Sequence, residues 1–251
     1  MKRITKYICL ALAGLAAMLT GCTPKREIPK VLKIGFTYYE PMTYFDTEAG
    51  QLMGFDAEFA RMVCAELGYT PEFVEIIWEH KVADLQNGTI DCIWNGMTIT
   101  EELQEQILVS DSYLQSRQVA VLPKENADVF SSVYEAERVA FEKGGAAQGL
   151  LTVGGLPTSS VREAVTQSSA IAEVIGGNAD AAVVDYVMAK RLVGKGLYDG
   201  LTFVGIEDAP EEFFAVGFRN TDAELCEKVD GLIEKYSKDG TFDALKGKYL
   251  G

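Results

Sequence analysis

Two carboxylates close short apolar runs, Glu142 after Val139-Ala-Phe141 and Asp185 after Ala181-Ala-Val-Val184. A pair of acids placed this way is suited to acid–base chemistry, although Asp185 could also cap the helix that begins at Tyr186 and Glu142 could face solvent. Asn95, Gly96 and Thr98 sit at the end of another apolar run that leads into a short helix, where main-chain groups and a hydroxyl can reach a ligand; Thr100 is its natural N-cap. Tyr39, just ahead of Pro41, and Trp78, just ahead of Lys81, offer ring faces that attract ammonium groups, whereas Trp94, inside an apolar run, reads as core. A single histidine, His80, excludes a histidine-rich metal site and any triad that needs two imidazoles. No metal, cofactor or catalytic residue is expected.

Alternating strands and helices must position these groups. Residues 31–37 read as a strand. Phe55, Phe59, Met62, Val63 and Leu67 recur at helical spacing and are closed by Gly68. Residues 71–77 form a second strand, 81–86 a short helix ended by Asn87-Gly88, and 90–95 a third strand. The pattern restarts after a strand at 118–122: strand 138–142, a glycine-rich turn, helix 168–175, strand 180–185 and a helix from Tyr186. Strands at 201–204 and 213–218 and amphipathic helices at 223–237 and 242–249 complete the chain. This order implies an α/β fold with largely parallel sheets, in two lobes joined by two crossings.

The net charge of −14, from 37 acids against 23 bases, excludes a binder driven by phosphate neutralisation. Lys2, Arg3 and Lys6 precede an apolar run at 8–19, which is signal-peptide length and too short to span a bilayer. The run ends in Leu19-Thr20-Gly21-Cys22, which resembles the bacterial lipobox. Residues 1–21 are therefore expected to be a lipoprotein signal peptide, Cys22 the lipidated anchor and 22–30 a tether. Cys9 leaves with the signal, so Cys64, Cys92 and Cys226 remain, an odd number read mainly as small buried hydrophobes, with one disulfide open.

Five blocks, Gly54-Phe55-Asp56, Leu85-Gln-Asn-Gly-Thr-Ile-Asp91, Gly96-Met-Thr-Ile-Thr100, Asp180-Ala-Ala-Val-Val-Asp185 and Lys238-Asp-Gly-Thr-Phe242, occur in one order over nearly the whole mature chain. Together they resemble the polar amino-acid-binding proteins of bacterial ABC importers, the type 3 extracellular solute-binding family. The resemblance implies a two-lobed periplasmic-binding-protein-like fold with two hinge crossings, lobe one from 31–117 and 214–251 and lobe two from 118–213, closing over a small ligand. It implies that Asp185 accepts a ligand ammonium, that Tyr39 and Trp78 form ring walls, and that Asn95, Gly96, Thr98, Leu103, Glu142, Gly145 and Ala146 line the pocket. The implied protein is a monomer held at the outer face of the cytoplasmic membrane, delivering its solute to a permease.

Leu103 departs from the pattern. Relatives carry an arginine there that grips the ligand carboxylate through a bidentate fork, which leucine cannot imitate. Burying a carboxylate without its cation costs roughly 3 to 5 kcal/mol, or about two to three and a half powers of ten in affinity. Gly144-Gly-Ala-Ala147 likewise lacks the hydroxyls usual after the lobe-two strand. Either Arg117 or Lys143 replaces the clamp, or the ligand has no free carboxylate and plain α-amino acids bind poorly. The rival reading is a dehydratase-like enzyme acting on a small cyclic acid, with Glu142 and Asp185 as its acid–base pair. A sensory module, with no signalling segment after Gly251, is the least expected.

Overall fold

The computed structural model describes residues 30–251. The signal peptide, Cys22 and nearly all of the tether lie outside the described residues. In chain order the strands are β1 (Lys30–Phe36), β2 (Tyr44–Asp46), β3 (Gln51–Met53), β4 (Tyr69–Glu75), β5 (Cys92–Thr98), β6 (Leu108–Val109), β7 (Leu114–Ser116), β8 (Gln118–Pro123), β9 (Val139–Glu142), β10 (Val161–Ala164), β11 (Ala181–Asp185), β12 (Leu201–Gly205) and β13 (Glu212–Phe218). The helices are α1 (Phe55–Leu67), α2 (Lys81–Gln86), α3 (Glu101–Gln106), α4 (Ala146–Val153), α5 (Gln167–Ile175), α6 (Tyr186–Leu192), α7 (Ala223–Lys238) and α8 (Thr241–Tyr249).

Two sheets result. The first runs β4-β1-β5-β13-β6, with β7 also paired to β13, and the second runs β10-β9-β11-β8-β12. Each is parallel on one side, β4-β1-β5 and β10-β9-β11, and antiparallel where the chain passes between sheets, at β13 and β8. Arg117 alone separates β7 from β8, and β13 carries the chain back into the first sheet from Glu212, whose register partner is Ser116. That return strand begins two residues ahead of the expected 213/214 boundary.

The helices follow their apolar spacing. α1 buries Phe55, Phe59, Ala60 and Val63, and Gly68 ends it in the left-handed conformation at φ 73°. Phe59 meets Trp94 edge to face at 4.8 Å and Phe242 at 4.9 Å, so α1 ties β5 to α8; each such ring contributes about 2 to 3 kcal/mol by burial. Trp94, 1% exposed, is core as expected.

Several expectations need correction. The third strand is shifted to Cys92–Thr98, with Ile90 buried ahead of it, and the second begins at Tyr69. The glycine-rich segment is not only a turn: Ala147 and Leu151 face a small core, and their burial draws Ala146–Val153 into a helix despite Gly149. The β2–β3 hairpin and β10 were not anticipated. Cys64, Cys92 and Cys226 are all buried and free, so no disulfide forms among them.

Candidate functional site

A cleft of about 590 Å³ opens between the two sheets. Tyr39, Trp78, Asn95, Gly96, Thr98 and Leu103 line it from the first sheet and its helices, and Glu142, Gly145, Ala146 and Asp185 from the second. All ten residues singled out in the sequence therefore share one cavity.

On the first side, Tyr39 is fixed by paired backbone bonds with Thr43, both 2.8 Å. Its ring presses on Gly96: a Cβ there would lie 2.7 Å from Tyr39 Cε1, and the backbone is left-handed at φ 59°. Only glycine fits both conditions. The Gly96 amide donates to Asp56 Oδ2 at 2.6 Å, as does the Tyr113 hydroxyl at 3.0 Å. Burial pushes the Asp56 carboxyl up to about 7, against the pull of those two donors. Asn95 Nδ2 donates to the Thr37 carbonyl and hydroxyl, both at 3.0 Å. Asn95 Oδ1 and the Tyr39 hydroxyl are buried without a hydrogen-bond partner among the described residues. Such atoms are costly unless something in the cleft satisfies them. Trp78 both lines the cleft and packs on Ile76 and Leu85, so its wall is braced by core.

On the second side, Asp185 is 3% exposed and ends β11. It occupies the N-cap position of α6 but makes no capping bond, so the capping alternative falls. Its Oδ1 accepts from Gln118 Nε2 at 2.6 Å and its Oδ2 from Gln167 Nε2 at 2.5 Å, while its own amide donates to Gln167 Oε1 at 2.9 Å. Gln118 Nε2 also donates to Glu212 Oε2 at 2.8 Å, bridging the strand that leaves the first sheet and the one that returns to it. Glu142 is 5% exposed, so it does not face solvent.

These acids share one poorly solvated space. Burial first, then the nearby Asp185 charge, pushes the Glu142 carboxyl up to about 8 and Glu212 up to about 7. Asp185 is also raised by burial, opposed by the hydrogen bonds from Gln167 and Gln118. Neighbouring carboxylates cannot all ionise together, and the one with two short amide donors keeps its charge most easily. We assign the negative charge to Asp185 and the protons to Glu142 and Glu212.

The expected replacement cations do not reach the cleft. The Arg117 guanidinium sits 5.0 Å from the centre of the Tyr186 ring, and Lys143 pairs with Glu79 at 3.3 Å and Glu163 at 3.0 Å. Sequence reasoning missed Lys81, which is 7% exposed and lines the cleft. Its Nζ donates to the Gly144 carbonyl at 2.7 Å and to the Trp78 carbonyl at 3.4 Å, and lies 5.0 Å from the centre of the Trp78 ring. Gly144 adopts φ 73° and packs so tightly that a Cβ would stand 2.7 Å from Glu79 Cα. The two sides thus touch above the cleft, and on another rim Arg191 pairs with Glu40 at 3.0 Å. Gln118, Gln167 and Glu212 were also missed.

Residues 32–251 match the family of bacterial extracellular solute-binding proteins, family 3. The chain belongs to that family. The family 3 chain is 26% identical to the L-arginine-binding protein of Pseudomonas aeruginosa, covering 96% of each, and 24% identical to the probable histidine-binding protein of Neisseria gonorrhoeae, covering 98% of this chain and 95% of that one. An ancestral arginine-binding protein bound to arginine superposes with a TM-score of 0.81 at 29% identity, over 88% of this chain and 98% of that one. An ancestral amino-acid-binding protein described as a precursor of cyclohexadienyl dehydratase gives 0.79 at 30% identity, over 88% and 96%. The family 3 fold, two α/β lobes around a cleft, is the fold described above.

Proposed function

We propose that this family 3 solute-binding protein captures a small amino-bearing solute, an amino acid or a derivative, between its lobes and delivers it to the permease of an ABC importer. One observation carries the reading: Asp185 is a buried carboxylate in the interlobe cleft, held by two glutamine amides and by no cation among the described residues. A buried charge left in this state needs a partner of opposite sign, and a ligand ammonium supplies it. Tyr39 and Trp78 then flank the solute, while Asn95 Oδ1, unpaired in the cleft, accepts from a ligand N–H. Gly96, Thr98, Leu103, Glu142, Gly145 and Ala146 complete the wall. Relatives named for binding arginine, histidine and, in Bacillus subtilis, cystine and glutamine support an amino acid or a close derivative.

In this reading residues 31–117 and 214–251 form lobe one and 118–213 lobe two, hinged at Arg117 and at the segment before Glu212. The protein acts as a monomer, anchored through a lipid on Cys22 at the outer face of the cytoplasmic membrane. It is not an enzyme: a small cyclic acid, the substrate of the dehydratase alternative, brings no cation to Asp185.

The test is a thermal-shift screen with amino acids, amines and short peptides, because a ligand that binds only the folded form raises the melting point. Asp185→Ala is then expected to weaken the best amino-bearing hit by about 3 kcal/mol or more, measured by calorimetry. Unchanged affinity in a folded variant would overturn the assignment of Asp185.

A further inference from the structure

Lys81 is the only cationic side chain that lines the cleft among the described residues. It opens α2 and is buried, yet it forms no ion pair among the described residues. Two of its three N–H groups are directed to carbonyls, the Gly144 bond short at 2.7 Å and the Trp78 bond long at 3.4 Å. The carboxylates that act on it from a distance are Glu142, Glu102 and Glu79. Glu79 is already paired with Lys143. Glu142, as argued above, holds its proton near neutral pH. Burial lowers the Lys81 pKa and these acids oppose the shift, Glu102 from beyond ion-pair distance, so among the described residues no carboxylate meets the ammonium directly.

The surroundings favour an anion. α4 starts beside Lys81 with Gly145 as its N-cap, and no side chain caps it. The Gly144 amide is taken by Gln148 Oε1 at 2.8 Å and the Gly145 amide by the Glu142 carbonyl at 3.1 Å. The amides of Ala146 and Ala147 have no acceptor among the described residues, and both residues line the cleft. Leu103 brings no charge, so the cation that an anionic group needs must come from elsewhere.

We propose that Lys81, assisted by the amides of Ala146 and Ala147, receives the carboxylate of a zwitterionic ligand, so that the positive end of the site is supplied from α2 and not from position 103. This rests on the reading of Asp185 as the ammonium site. It replaces the expectation that plain α-amino acids bind poorly: the carboxylate is held, by a residue whose position in sequence gives no sign of it. A lysine is a point charge with three rotatable donors, so recognition here is less geometric than a guanidinium fork and tolerates more than one carboxylate orientation.

The experiment compares ligand pairs that differ only in the carboxylate, L-histidine with histamine, L-arginine with agmatine, and L-phenylalanine with phenethylamine, by calorimetry on the full chain. The amino acid of a binding pair is expected to bind at least tenfold more tightly than its amine. Lys81→Met should weaken that amino acid by about 100-fold, the scale of losing one partner of a buried charge pair, while leaving the amine within about threefold. Lys81→Arg should keep most of the preference, which separates the loss of charge from damage to the fold. Equal weakening of acid and amine in Lys81→Met would reduce Lys81 to a strut between the lobes and overturn the proposal. An amine that binds as tightly as its acid in the unaltered protein would overturn it too, with the Asp185 reading intact. If no member of any pair binds, both readings fall together.

Discussion

Asp185 and Lys81 are buried charges in one cleft, and the fold treats them alike in one respect and differently in another. Neither is cancelled by an ion pair among the described residues. Each is held by dipoles, Asp185 by the amides of Gln118 and Gln167 and Lys81 by the carbonyls of Gly144 and Trp78. Neutral donors and acceptors offset part of the cost of removing a charge from water without using up the charge, which leaves both ends ready for a ligand that carries their opposites. The difference lies in the company they keep. Asp185 sits among other acids, Glu142 and Glu212, which take up protons so that one negative charge dominates. Among the described residues Lys81 has no second cation beside it in the cleft, and its rival for position is an apolar residue, Leu103. The acidic end is therefore buffered by neighbours that can gain or lose a proton, whereas the basic end depends on one side chain.

Replacing the buffering acid breaks this contrast most strongly. The folded-state pKa of Glu142, about 8, lies above its ordinary value of 4.5, so the folded protein holds a proton there that the unfolded chain releases. The stability tied to this proton is fully present below about pH 4.5 and is lost as pH rises through about 8. Glu142→Gln mimics the protonated acid at every pH. The variant should match the parent near pH 4.5 and exceed it by on the order of 5 kcal/mol above pH 8, read by urea unfolding. An equal difference between the two proteins at both pH values would show that Glu142 does not carry the proton.

A smaller effect sharpens the basic end. Leu103→Arg adds a guanidinium to a wall that already has Lys81, so it should tighten the amino acid of a binding pair by about tenfold and leave its amine unchanged. Calorimetry that shows tighter amine binding instead would mean that the cleft has no anion end to reinforce. Looser binding of both members would mean that Glu142 or Glu102 had captured the new side chain.

Much of this contrast was legible before the structure. α1 follows its apolar spacing from Phe55 to Leu67, and the ten candidate residues meet in one cleft because strand ends and the turns after them face the same space in an α/β fold. The misplaced cations show where this reasoning stops. Arg117 and Lys143 adjoin the right residues, Gln118 and Glu142, but neighbours along an extended chain point to opposite faces. Lys143 therefore turns to Glu79 and Glu163 while Glu142 turns inward. Gln118 was hidden for another reason: its partners Asp185 and Glu212 are 67 and 94 residues away, and no local periodicity reports such a pairing. Lys81 read only as the start of a short helix. Its burial depends on Gly144, 63 residues on, whose backbone comes close enough to cover it.

The central claim is that the cleft takes its ligand by an ammonium group at Asp185. The most direct measurement titrates the full chain with an amino acid that raises its melting point and with the N-acetylated form of the same amino acid, which keeps the carboxylate and side chain but loses the positive charge. The account predicts that acetylation weakens binding by about 100-fold or more, because Asp185 is left buried opposite a neutral amide. Equal affinity for the two compounds would contradict it.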